Sequence, residues 1–223
     1  MHAHVLAAVL ALGACTSLAG ADDTAPPFSP AAAAPMAAAA DYPVAVELPS
    51  GAYRLDPRHA SVLFRIRHMD LAWFTARFDT KTATLEFDAS DPSRSRLMAS
   101  IDADSVNTGL PDSNEAAAFN RQIGRALGAE RGAEISFVST AIERTGRNSA
   151  RVTGDLTMNG QTHPLTLDAT FDGAAVDPLR GVRQVLGFSA HGEIDRAQWG
   201  VNAWDSFTGD TVQVVIEAEF VKS

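Results

Sequence analysis

The feature that most constrains this chain is a period-two alternation that begins near residue 61 and runs almost to the end. Side chains of a strand point alternately to its two faces, so an apolar residue at every second position describes a sheet with one buried and one wet face. In residues 61–68, Val62, Phe64 and Ile66 point one way and Arg65 and Arg67 the other. Leu85 and Phe87 alternate with Thr84, Glu86 and Asp88, while Leu97, Ala99 and Ile101 alternate with Ser100 and Asp102. Ile135 and Phe137 flank Ser136 in the same manner. Residues 151–172 form the clearest unit. Val152, Leu156 and Met158 share a face, then Asn159-Gly160 supplies the two residues that tolerate positive φ in a tight hairpin. Leu165, Leu167, Ala169 and Phe171 carry the apolar face back. Residues 186–194, with Phe188 inward, and 211–221, with Val212, Val214, Ile216, Ala218 and Phe220 inward, add two strands.

This pattern predicts an all-β fold of about eight antiparallel strands in a meander. Closure into a barrel removes the unpaired edges that would otherwise invite aggregation. One helix interrupts the run. Asp112 and Glu115 have the spacing of a capping box, Phe119, Ile123 and Leu127 recur every fourth residue, and Gly128 ends the element. A second helical turn is expected over Asp70–Phe74. An eight-stranded barrel has an interior that side chains can fill or that holds one ligand, and at this level both remain open.

Composition narrows the function classes. The net charge of −9 and the lack of any Lys/Arg block argue against nucleic acid as a partner. The single cysteine, Cys15, excludes an internal disulfide framework and a multi-cysteine metal cluster. Eleven Phe against two Tyr offer apolar surface with few hydroxyls to satisfy.

The N-terminus reads as an address. Residues 5–14, VLAAVLALGA, have the length of a signal-peptide core and are too short to span a bilayer. They lead into Leu12-Gly13-Ala14-Cys15, which looks like the lipobox of bacterial lipoproteins, with Cys15 as the lipidation site. The alternative is ordinary secretion with cleavage near Ala19-Gly20-Ala21. Met1–His4 carries no Lys or Arg, a departure from export signals. Thr16 is not the Asp of inner-membrane retention, so the expected location is the periplasm, anchored at the outer membrane. Residues 16–50 are rich in Ala and Pro and read as a linker, which leaves residues 51–223 as one domain.

Four blocks in the folded region resemble the YceI-like domain family in order. They are Tyr53-Arg54-Leu55-Asp56-Pro57-Arg58-His59-Ala60-Ser61-Val62-Leu63-Phe64; then His68, which ends that strand, and Phe78; then Val152 to Thr162 with its Gly-Asp-Leu-Thr hairpin; then Ile194-Asp195-Arg196 followed by Trp199-Gly200-Val201, the Asp-Arg-x-x-(aromatic)-Gly motif. Gly128 to Ala133 lacks the aromatic-Pro pair usual in the family before the strand at Ile135. The resemblance implies an exported lipocalin-like barrel whose apolar channel takes a polyprenyl lipid or a prenylated quinone. No cofactor is expected.

The apolar face provides the candidate ligand-binding residues: Phe64, Ile66, Phe78, Leu85, Phe87, Phe137, Leu156, Met158, Phe171, Phe188 and Val214. Each ligand CH₂ taken from water would gain roughly 0.8 kcal/mol, so a long prenyl chain needs few polar contacts. Arg196, His59 and His68 are the candidates for a head group; for His59, before a strand, and His68, at its end, the competing reading is a satisfied hydrogen-bonding role. For Arg196 the competing reading is a clamp between the last strands, paired with Asp195. No metal site is expected, because the four histidines of the domain show no ligand spacing along the chain. No Gly-x-Ser-x-Gly elbow or buried carboxylate pair points to an enzyme. A filled barrel acting as a structural or interaction module is the alternative function, and a homodimer is left open.

Overall fold

The computed structural model describes residues 48–131, 134–177 and 183–223. Cys15, the expected signal segment and the expected linker up to residue 47 lie outside them. The elements are β1 (Gly51–His68), β2 (Ala72–Phe78), β3 (Lys81–Phe87), β4 (Arg96–Ile101), β5 (Val106–Asn107), α1 (Ser113–Ala126), β6 (Ile135–Arg144), β7 (Ser149–Met158), β8 (Gln161–Asp177), β9 (Arg183–Asp195) and β10 (Thr208–Lys222).

Ten segments make eight barrel positions. The first half of β1 pairs with β3 and its second half with β2, so β2 and β3 together form one broken strand antiparallel to β1. β4 and β5 are likewise two pieces of the next, pairing with β3 and β2 respectively. From β6 onward each strand pairs with the one that follows it, and β10 returns to β1, closing an antiparallel meander of eight. The all-β, eight-stranded barrel expected from the alternation is the fold.

The break in the second position has a polar cause. Arg77 Nε donates to Asp79 Oδ1 at 2.7 Å and Asn107 Nδ2 donates to Oδ2 at 2.8 Å, which ties the interruption to β5. The Asn107 hydrogen bond, with Arg77 behind it, holds the Asp79 carboxyl below the usual carboxylate range. A group depressed on folding stabilises at neutral pH, and that contribution is lost as pH falls through the folded-state value. Asp79→Asn is therefore expected to lower stability at pH 7 by under about 1 kcal/mol, because the side chain is half exposed. Urea midpoints of wild type and variant should converge on acidification; a gap that stays constant with pH would assign the effect to shape alone.

β1 starts ten residues before the alternation becomes visible. Its register shifts between Leu55 and Ala60, where Asp56-Pro57-Arg58-His59 bulges out of the ladder with β10. The Asn159-Gly160 hairpin forms as predicted, with φ of 52° and 74°. Gly154 answers a packing demand: a Cβ there would stand 2.4 Å from the Phe137 ring and 2.5 Å from the Val138 carbonyl oxygen. The capped helix also forms, Asp112 Oδ1 accepting from the amides of Asn114 and Glu115. The second helical turn does not. Residues 69–71 make a tight turn and β2 follows at once, because Phe74, Ala76 and Phe78 alternate inward with Trp73, Thr75 and Arg77 outward, the spacing of a strand.

Candidate functional site

The strand ends divide the barrel into two rims. The upper rim carries the β1–β2 turn, α1, the β7–β8 hairpin and the loop from Arg196 to Phe207; the lower carries the β3–β4 and β6–β7 turns and the incoming Leu48–Ser50. Two apolar clusters follow the same division. The upper one is built on Phe78, Phe137, Leu156, Met158 and Trp199, the lower one on Tyr53, Leu85, Phe87, Leu186 and Phe220.

Between and through these clusters runs a cavity of about 1410 Å³. Its volume exceeds the roughly 300–1,000 Å³ typical of pockets for drug-sized ligands. All eleven apolar residues singled out in the sequence border it: Phe64, Ile66, Phe78, Leu85, Phe87, Phe137, Leu156, Met158, Phe171, Phe188 and Val214. A filled barrel would bury its inward side chains completely. Here Val62, Phe64, Ile66, Val212, Val214 and Ile216 point inward yet are only half-buried, because the surface they present belongs to the cavity wall. The interior is hollow.

Small residues explain where the space comes from. Ala150, Ala169 and Ala190 stand side by side in register across β7, β8 and β9, and all three line the cavity. Three methyl groups occupy positions where a packed barrel would carry Leu or Phe, a pattern that only the cross-strand register reveals. Aromatic rings pave the two ends. Phe78, Phe64, Phe74, Phe119 and Trp204 form a chain with successive centroids 5.4, 6.4, 5.7 and 6.1 Å apart, leading from the interior past α1 to the upper rim. Phe171, Phe188 and Phe220 form a shorter chain at the lower end, with spacings of 5.4 and 5.9 Å.

The three head-group candidates have different surroundings. His68 lies on the upper rim and lines the cavity, its ring without a hydrogen bond to any described residue. His59 does not line the cavity. It belongs to the β1 bulge, with Nδ1 2.6 Å from Asp56 Oδ2 and 3.5 Å from Glu219 Oε2, so contact with a ligand in the barrel is corrected to a role at the bulge. Asp56, His59 and Glu219 bring donor atoms within 4.8 Å of one another. Glu219 comes from β10, so no spacing along the chain could have disclosed the cluster.

Arg196 is 4% exposed and reaches the cavity wall, but its donors are turned to the backbone. Nη1 donates to the carbonyls of Val201 at 2.7 Å and Ala203 at 2.8 Å, and Nε donates to Gly209 at 2.9 Å. Nη2 approaches Thr208 O at 3.4 Å and the exposed Asp210 at 3.7 Å. Asp195, its expected partner, instead caps the turn that follows by accepting from the Ala197 amide. Arg196 thus clamps the loop between β9 and β10, and the head-group assignment is corrected accordingly. Arg196→Met is expected to cost about 3 kcal/mol by leaving buried carbonyls without donors, measured by chemical denaturation. Arg196→Lys should recover little, since one ammonium cannot reproduce the fork. Equal stability of Arg196→Met and wild type would remove the clamp.

Comparison with known proteins places this architecture. The profile described as YceI-like domain matches residues 53–220. The UPF0312 protein of Serratia proteamaculans is 31% identical over 173 residues, which is 77% of this chain and 86% of the relative. Burkholderia cenocepacia BcnA superposes with a TM-score of 0.63 at 22% identity, covering 74% of this chain and 98% of its own. A polyisoprenoid binding domain from Saccharophagus degradans superposes with a TM-score of 0.56 at 14% identity, covering 77% of this chain and 98% of its own.

Proposed function

This chain belongs to the YceI-like domain family, and on that premise we propose that it is a lipid-binding protein that carries or stores a polyprenyl lipid or prenylated quinone in the cell envelope. The observation that supports the reading most is the hollow interior: about 1410 Å³ bordered mainly by Phe, Leu, Ile, Val and Ala side chains. Such a lining offers few partners to water, so a molecule without polar groups along its length is the occupant it favours. The elongated course of the cavity, from Trp204 at one rim to Arg147 at the other, suits a chain better than a compact ring system. The polyisoprenoid binding domain that shares the fold agrees with a prenyl chain.

Binding is the whole task in this reading. The buried carboxylate of Asp56 faces His59 at the bulge, and Arg196 is engaged by carbonyls, so neither presents a reactive group to the cavity. A hydrophobic carrier gains from a tether near its source, and acylation of Cys15 followed by the Ala/Pro-rich linker would provide one.

The test is native mass spectrometry of the full exported chain, followed by organic extraction. A prenyl lipid or quinone at near-equal stoichiometry is the expected result. A mass without ligand that stays so after incubation with prenyl lipids would remove the reading. The mature mass also decides the anchor: acylation at Cys15 adds the mass of its lipid, and Cys15→Ser should move the protein from the membrane to the soluble fraction.

A further inference from the structure

Large apolar side chains project into solvent at one place on the upper rim. Leu71 is 79% exposed, Met69 56%, Phe207 55%, Trp204 39% and Trp73 37%. Met69 and Leu71 lie in the β1–β2 turn, Trp73 at the start of β2, and Trp204 and Phe207 in the loop before β10; β1–β10 pairing brings these segments together, and the amide of Met69 donates to the carbonyl of Phe207 at 2.7 Å. The backbone holds them there against its own preference: Met69, Asp70 and Trp204 have φ of 51°, 55° and 59°, a region that costs non-glycine residues free energy. Phe207 and Trp204 also line the cavity, so the exposed patch continues into the apolar interior through the Phe74–Phe119–Trp204 chain. On the outer wall just below, the guanidinium groups of Arg65 and Arg67 lie 4.9 and 5.3 Å from the Trp73 ring.

We propose that this rim docks on a lipid bilayer, with Met69, Leu71, Trp204 and Phe207 dipping into the acyl boundary and Trp73, Arg65 and Arg67 at the level of the phosphates. The proposal rests on the cavity being a lipid site, since it gives that cavity an opening onto the membrane. Trp beside Arg is the residue pairing that bilayer interfaces favour, each side chain having an apolar body and a polar edge. Asp70 and Asp205 sit at the same rim and offset the arginines. The apolar side chains therefore carry the attachment, and moderate salt does not release it. Five side chains on two narrow tips fall well short of the roughly 20–30 residues that each partner of a standard protein interface contributes.

The chain contains three tryptophans, of which Trp199 is 2% exposed and shielded from the bilayer, so quenching of emission reports on Trp73 and Trp204. The full chain is mixed with phosphatidylethanolamine/phosphatidylglycerol vesicles that contain no prenyl lipid and carry bromine high on the acyl chains. Docking predicts a blue shift and a loss of roughly a third or more of the emission, little changed by salt, because tryptophan seats itself at that depth. The double variant Leu71→Ser/Phe207→Ser alters two side chains that are more than half exposed, and circular dichroism confirms its fold. It should weaken the vesicle response by roughly tenfold per side chain, since each loses its transfer from water. Unquenched emission in wild type, or equal quenching in the variant, overturns the proposal. A wild-type dimer in sedimentation that the variant lacks, without quenching, overturns it in favour of a second copy. Quenching in a protein that yields no prenyl lipid on extraction supports the docking while removing the ligand reading.

Discussion

Phenylalanine in place of Ala169 and Ala190 is expected to expel prenyl lipid from the barrel while leaving the barrel folded. The two alanines face each other across β8 and β9, with Ala150 beside one and Ile216 beside the other. Both line a cavity of about 1410 Å³, so the added rings extend into space rather than into packed neighbours. Overpacking normally costs about 1–3 kcal/mol; here that penalty is avoided and the new rings gain burial. For the ligand the change is severe. Each displaced methylene forfeits about 0.8 kcal/mol, so excluding only two of them weakens binding by more than tenfold. Occupancy in native mass spectra should fall accordingly, with the melting temperature unchanged or raised. Undiminished occupancy in the double variant would mean that the lipid lies elsewhere.

The largest loss of stability is expected for Trp199→Ala. Trp199 is 2% exposed and seals the upper rim between the β7–β8 hairpin and the loop leading to β10. Its indole N–H donates to Leu156 O at 3.0 Å, its own carbonyl accepts from Asn159 Nδ2 at 2.9 Å, and its ring meets His163 edge-on with centroids 5.1 Å apart. Truncation removes the ring, opens a void and strips the Leu156 carbonyl of that donor. Such a substitution costs about 3–5 kcal/mol. For a domain of this size that corresponds to a melting temperature lower by roughly 10 °C. Trp199→Phe keeps most of the packing and forfeits the hydrogen bond, so it should lie between the two. A melting temperature of Trp199→Ala within a degree or two of wild type would show that the seal is dispensable.

Much of the site was legible because strands report their faces. Phe64, Ile66, Phe171 and Val214 were assigned inward from period two alone, and each borders the cavity. The assignments that failed involved partners distant in sequence or a local ambiguity of period. His59 was a head-group candidate beside the competing reading of a satisfied hydrogen-bonding histidine, and its company is Asp56 and Glu219 at the bulge. Arg196 was read against its neighbour Asp195, whereas a guanidinium is held by whichever carbonyls the returning loop supplies. Asp70–Phe74 looked helical because adjacent Trp73 and Phe74 suit either period over so short a stretch.

What the amino-acid order determined by itself is local: which residues extend, where Asn159-Gly160 reverses the chain, where Asp112 starts a helix, and which side chains face inward. Pleat, turn and cap are set by neighbours a few positions away, so a linear reading recovers them. Tertiary structure decided whether the barrel was full. That outcome depends on three alanines from three strands meeting at one level, and on β10 closing against β1. It also decided that Leu71 and Phe207, 136 positions apart in the chain, share one rim. Volume and surface patches are sums over strands, and the terms are paired only once register and closure exist.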